Sequence, residues 1–135
     1  MEKQHRYSRL EKLIGEDNLS NLNNKSVLIL GVGGVGGYVA EALARSGIGT
    51  LILVDFDVID ETNINRQIIA LNSTLGKKKV EVAKNRILDI NPKVKVNSYD
   101  TFVTKENATM FDFKSFDYVY EGIKNGDYGT LIARL

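Results

Sequence analysis

The stretch Ser26-Val-Leu-Ile-Leu-Gly31-Val-Gly33-Gly34-Val-Gly36-Gly37-Tyr38-Val-Ala40 decides the fold of this chain. An apolar, β-branched run enters a cluster of five glycines, and an alanine-rich helical pattern leaves it. Such a strand-turn-helix turns tightly and lets backbone come close to a ligand. The helix then aims unpaired N–H groups and the positive end of its dipole at whatever sits in the turn. Phosphate is the ligand this arrangement suits.

Working outward, the strand is 26–30, continuously apolar and therefore buried on both faces. A helix over 36–46 carries Val39, Ala40, Leu43 and Ala44 on one stripe, and Gly47 and Gly49 end it. Residues 51–54 form a second apolar strand that ends at Asp55. The next helix is predicted over 77–90, with Val80, Val82, Ala83, Ile87 and Ile90 inward and Asn91-Pro92 as its stop. Val94, Val96 and Ser98 alternate with Lys95, Asn97 and Tyr99, which predicts a more exposed strand. Thr104 is a suitable N-cap for a short helix through Met110, and 116–120 reads as another strand. Upstream, Leu10, Leu13 and Ile14 stand at helical spacing, so one or two short helices precede the first strand.

Alternation of strands and helices predicts an α/β, Rossmann-like domain: a mainly parallel sheet with helices on both faces. The predicted organisation is an N-terminal helical segment over 1–24, a nucleotide-binding domain over 25–120 and a divergent tail over 121–135. On this expectation the sheet is truncated at its C-terminal side.

At 135 residues the chain has the size of one domain, and its 43% hydrophobic and 26% charged content is ordinary for a globular protein. A net charge of +1 gives no general electrostatic pull toward nucleic acid or acidic membrane. Without cysteine, the chain can form neither a disulfide, a cysteine zinc site nor a thiol nucleophile. It shows no apolar signal core and no membrane-spanning run, so a cytoplasmic location is the default expectation.

Gly31, Gly33 and Gly36 satisfy G-x-G-x-x-G. Asp55 follows the second strand at the distance where a carboxylate accepts hydrogen bonds from ribose hydroxyls, so NAD fits these residues. A ligand-free packing turn is the plainer alternative, but the placement between strand and helix favours a ligand. A second constellation, Asp57, Asp60, Asn63, Arg66 and Gln67 followed by Gly76-Lys77-Lys78-Lys79, argues against simple NAD binding. Folded back over the turn, it would bring Arg66 and Lys79 to a triphosphate, where two cations stabilise departing pyrophosphate. Lys77 and Lys78 read as a solvated helix start. Lys79 opposes the helix dipole and needs compensation, which phosphate would supply.

Arg6-Tyr7-Ser8-Arg9, Gly31-x-Gly-Gly-x-Gly36, Asp55-Phe-Asp57, Asn63-x-Asn-Arg66-Gln67, Gly76-x-x-Lys79 and Ile90-Asn91-Pro92 occur in this order. Together they resemble the ThiF/MoeB/HesA family, bacterial relatives of ubiquitin-activating enzymes, over about Arg6 to Tyr120. Thr62-Asn-Ile-Asn-Arg-Gln-Ile68 and Asp100-Thr-Phe-Val-Thr104 look most like its tRNA threonylcarbamoyladenosine dehydratase branch. The resemblance implies ATP-dependent activation of a carboxylate as an acyl-adenylate, with ATP and magnesium as cofactors. It implies nucleotide contacts from Gly31, Gly33, Gly34 and Gly36, a ribose held by Asp55, and Asp57 in the same motif. Asn63, Arg66 and Lys79 would contact the phosphates. Arg9 matches an arginine donated across a homodimer interface to the partner's ATP. The substrate implied is threonylcarbamoyladenosine in tRNA, or in a close variant the C-terminus of a small ubiquitin-like sulfur carrier.

The chain departs from the family after the last predicted strand. Where family members place an Asp-Ala-x-Asp string that handles magnesium, this chain has Glu121-Gly122-Ile123-Lys124, with Asp127 out of register. A lysine cannot bind magnesium and puts positive charge where the metal belongs. From this comes the expectation of an altered N-terminal half, its sheet edge after Tyr120 exposed and Val119, Leu131 and Ile132 seeking a partner. The competing function is a non-catalytic nucleotide-binding or dimerisation module.

Overall fold

The computed structural model describes residues 4–104 and 106–121. The element order is α1 (Ser8–Ile14), α2 (Glu16–Leu22), β1 (Ser26–Leu30), α3 (Gly34–Ser46), β2 (Thr50–Asp55), α4 (Lys79–Ile90), β3 (Lys95–Asp100) and β4 (Tyr118–Glu121). Four strands form one parallel sheet in the order β3-β2-β1-β4. The fold is Rossmann-like α/β. The order reverses at β1: the chain moves outward through β2 and β3, then returns to place β4 on the other side. Ligands of open α/β sheets bind at this kind of switch point, outside the carboxyl ends of the strands. The glycine turn stands there, directly after β1.

The apolar strands are buried on both faces, and their alternation divides the core. Val27, Ile29, Leu51 and Leu53 pack with Ala40 and Ala44 of α3 and with Val80, Ala83 and Ile87 of α4. Leu28, Leu30, Ile52 and Val54 pack against Val103, Ala108, Phe111 and Phe113 on the opposite face. That second cover is formed by Val103 and residues 106–117, which carry two 3₁₀ turns, Ala108–Met110 and Phe113–Ser115.

Several boundaries differ from the sequence expectation. The helix foreseen from Thr104 to Met110 shrinks to the turn Ala108–Met110. Thr104 N donates to Asn107 Oδ1 at 2.7 Å and Asn107 N to Thr104 Oγ1 at 3.4 Å, the reciprocal pairing of a helix start, but Phe111 and Phe113 turn into the second cluster directly after it. Helix α4 starts at Lys79 instead of residue 77. Residues ahead of it run extended: Ile59 N donates to Lys77 O at 2.8 Å, and Val58 bridges Lys78. β4 starts at Tyr118 instead of residue 116, because Phe116 packs into the second cluster. Asp117 instead ties the strand start to β1, its Oδ2 accepting from Ser26 N at 2.8 Å. Val119 also packs against the second cluster. Among the described residues β4 pairs only with β1 and forms one edge of the sheet. Lys124, Asp127, Leu131 and Ile132 lie outside the described residues.

Candidate nucleotide site

The turn is built from backbone. Gly31 has φ +95° and Gly34 φ +47°, in the region where a Cβ is strained. Gly36 is dictated by contact: a Cβ there would overlap the Gly31 carbonyl oxygen. Gly33 is the N-cap of α3, and no side chain caps that helix end. The first N–H groups of α3 are therefore aimed at the mouth of the turn.

Asp55, 7% exposed, ends β2 and locks the turn. Its Oδ2 accepts from Val32 N at 3.0 Å and its Oδ1 from Asp57 N at 2.9 Å. A carboxylate has about four acceptor positions, so both oxygens keep capacity for hydroxyl donors. Asp57 then meets α4. Its Oδ2 lies 3.7 Å from Lys79 Nζ, and its carbonyl accepts Lys79 N at 3.1 Å. Lys79 is 6% exposed at the first position of α4. The Asp57 carboxylate thus supplies part of the compensation that a lysine at this helix end requires.

The segment between β2 and α4 closes over the turn. Asp60 accepts from Thr62 N, which caps the 3₁₀ turn Glu61–Asn63 and holds the Asp60 carboxyl below its ordinary range, chiefly through the Thr62 hydroxyl. Asn63 is buried and its Oδ1 accepts from Asp60 N at 2.8 Å. Arg66 is exposed, with Nη1 donating to Thr62 O at 2.8 Å and Asn65 Oδ1 at 3.0 Å. Arg66 N and Gln67 N both donate to Asn63 O, at 3.2 and 2.9 Å. Gln67 reaches back to Gly33, where its amide lies against the glycine.

Glycine turn, Asp55, Asp57, Asn63, Arg66 and Lys79 therefore belong to one connected patch at the carboxyl edge of the sheet. Arg9 does not join it. Tyr7, two residues before Arg9, packs its ring at Gly47, at the far end of α3 from Gly34. Asn91 of the Asn-Pro pair is also at that far end. Buried, it donates to Tyr7 Oη at 2.6 Å and to Ala44 O at 3.0 Å, so it fastens the N-terminal segment to α3. A cavity of about 420 Å³ lined by His5, Arg6, Tyr7, Asn91, Pro92 and Lys93 opens at the same edge, away from the glycine turn. Lys78 is not simply solvated: its Nζ meets Asp100 Oδ2 at 2.8 Å, a contact that raises its pKa. Gln67, to which the motif alone gives no role, joins Asp55 and Ile68 in touching the glycine turn.

A buried lysine, an uncapped helix N-terminus and a glycine cradle fit an anionic ligand. Among the described residues no group of three or more His, Cys, Asp or Glu is placed to hold a metal ion.

Such a turn at the switch point of a parallel sheet defines a Rossmann-like domain. The ThiF family model matches residues 7–135, and the chain belongs to that family. It is 50% identical over 117 residues to the tRNA threonylcarbamoyladenosine dehydratase of Bacillus subtilis, covering 87% of this chain and 46% of that protein. It is 37% identical to a probable adenylyltransferase/sulfurtransferase MoeZ of Mycobacterium tuberculosis, covering 89% of this chain and 31% of the relative. The crystal structure of Escherichia coli tRNA N6-threonylcarbamoyladenosine dehydratase in complex with ATP superposes with a TM-score of 0.84 at 41% identity, covering 87% of this chain and 49% of that one. The chain thus spans about half the length of the dehydratases it matches.

Proposed function

We propose that this chain binds ATP and takes part in the adenylation of a carboxylate, with threonylcarbamoyladenosine in tRNA as the substrate. The observation that carries the reading is the convergence of the glycine turn, Asp55 and the buried Lys79 at the switch point. Its similarity to a dehydratase solved with ATP supports ATP as the nucleotide. In this reading Gly31, Gly33, Gly34 and Gly36 give the phosphates a close backbone approach, and Asp55 accepts from the ribose hydroxyls. Asn63, Arg66 and Lys79 face the phosphates, and Asp57 orients the Lys79 ammonium. Magnesium, as the resemblance implies it, would offset phosphate charge, with Asp55 and Asp57 the carboxylates nearest the turn; among the described residues no group of three or more His, Cys, Asp or Glu is placed to hold it alone. Arg9, remote from its own turn, acts across a homodimer interface. The division into 1–24, 25–120 and 121–135 and a cytoplasmic location belong to the same reading. Among the described residues no helix is long and apolar enough to cross a membrane.

Activation attaches AMP to the carboxylate oxygen and releases pyrophosphate. The carboxylate attacks the α-phosphorus as the bond to the β-phosphate oxygen breaks. Cations at the phosphates stabilise the charge that gathers on the leaving group. Pyrophosphate–ATP exchange with threonylcarbamoyladenosine-containing tRNA tests this. Exchange that depends on Lys79 supports adenylation. ATP binding without exchange selects the second reading, a nucleotide-binding module without catalysis, which Lys124 at the aspartate position favours.

A further inference from the structure

We propose that Gln67 is a displaceable cover on the phosphate approach at Gly33. The inference rests on the ATP reading above and goes beyond it by assigning a moving part.

The second glycine of a G-x-G-x-x-G turn is the place where backbone comes nearest the pyrophosphate. In this structure the Gln67 amide occupies that approach. A Cβ at Gly33 would sit 2.8 Å from Gln67 Oε1 and 2.9 Å from both Cδ and Nε2. Oxygen and nitrogen are almost equidistant, so the cover is the same whichever way the amide is turned. A phosphate over Gly33 and the amide cannot share the space.

The cover is poorly held. Gln67 Oε1 is buried and, among the described residues, has no hydrogen-bond partner. An acceptor buried without a donor is disfavoured, and native structures keep few of them. The backbone that carries Gln67, by contrast, is fixed: its N–H donates to Asn63 O at 2.9 Å and its carbonyl accepts from Ala70 N at 3.0 Å. Only the side chain needs to rotate. Swinging away from Gly33 brings Oε1 within reach of water or of the ligand's hydroxyls, so arrival of the nucleotide relieves the unmade bond.

Two variants separate a cover from an ordinary contact. Gln67→Leu keeps a side chain of similar reach over Gly33 and removes the polar atom that makes the seat unfavourable. Gln67→Ala uncovers Gly33. ATP affinity measured by calorimetric titration is expected to fall at least tenfold in Gln67→Leu, and Gln67→Ala to bind at least fivefold more tightly than Gln67→Leu. Equal affinities in the two variants, or an unchanged affinity in Gln67→Leu, overturn the proposal. A second readout uses the unaltered chain, which has two glutamines, Gln4 and Gln67. With nitrogen-15 in glutamine side-chain amides only, the Gln67 pair is expected to shift on adding ATP while the exposed Gln4 pair, assigned with Gln4→Ala, stays. ATP binding with a stationary Gln67 pair also overturns the proposal. If the unaltered chain binds no ATP, the ATP reading itself fails.

Discussion

At the scale of single residues, the site is decided by what a side chain would hit. Gly36 faces the Gly31 carbonyl so closely that a methyl group has nowhere to go. Both partners are backbone, so no rotamer change resolves the clash. Gly36→Ala is expected to lower stability by about 1–3 kcal/mol through forced opening of the turn, and to abolish ATP binding. Urea denaturation and a binding titration on the same preparation check both. Gly34→Ala is different in kind, since nothing lies within 4 Å of its Cβ position and only its φ of +47° resists substitution. The place of Asp55 at the end of an apolar strand was legible in the sequence. Its two bonds to Val32 N and Asp57 N were not, because they depend on how β1 and β2 are registered.

At the scale of elements, two clamps hold the helices that frame the site. Glu41 of α3 accepts from Arg86 Nε of α4 at 2.7 Å and from Arg45 at 2.9 Å. The Arg86 hydrogen bond is the main cause that holds the Glu41 carboxyl below its ordinary value of 4.5. Because the folded pKa is depressed, the stabilisation is fully present above the unfolded value. It disappears as pH falls through the folded one. Glu41→Gln is therefore expected to cost about 1–2 kcal/mol near neutral pH, allowing for solvent at the half-exposed arginine, and progressively less below about pH 4.5. Denaturation midpoints for both proteins across pH 3 to 7, roughly the range where such carboxylates titrate, check the convergence. The second clamp is Asn91. Asn91→Ala leaves Ala44 O and Tyr7 Oη without its donor and is expected to destabilise by about 1–3 kcal/mol, read by urea denaturation. A change under about 0.5 kcal/mol, typical of surface substitutions, contradicts that role.

The same scale shows why some elements were legible and others not. Continuous apolar runs and the glycine cluster revealed β1, β2 and α3 directly. Residues 106–117 were harder, because their form follows from where Phe111 and Phe113 find cover on the second face of the sheet. Local hydrogen bonds between Thr104 and Asn107 make a helix start that only the turn Ala108–Met110 follows. The extended approach to α4 was hidden for a similar reason. Residues 76–78 pair with 57–59, and that contact joins positions far apart in sequence.

At the scale of the whole molecule, the topology gathers the polar motifs to one edge. The sheet order β3-β2-β1-β4 leaves the turn after β1 at the reversal, and the loop after β2 has only that edge on which to fold. Arg9 and Asn91 fall at the other edge, so the shared motif residues divide into those beside the glycine turn and those at the N-terminal segment, where Asn91 bonds Tyr7 and Ala44 O. A ligand bound only by the folded chain stabilises it by about 2.7 kcal/mol at a hundredfold excess over its dissociation constant. The central claim is that this edge recognises ATP, where the glycine pattern and Asp55 alone would equally fit NAD. Parallel calorimetric titrations of the unaltered chain with ATP and with NAD test it most directly. The account predicts saturable, one-site binding of ATP that Lys79→Ala weakens at least tenfold, with no comparable binding of NAD. NAD binding in the absence of ATP binding would contradict it.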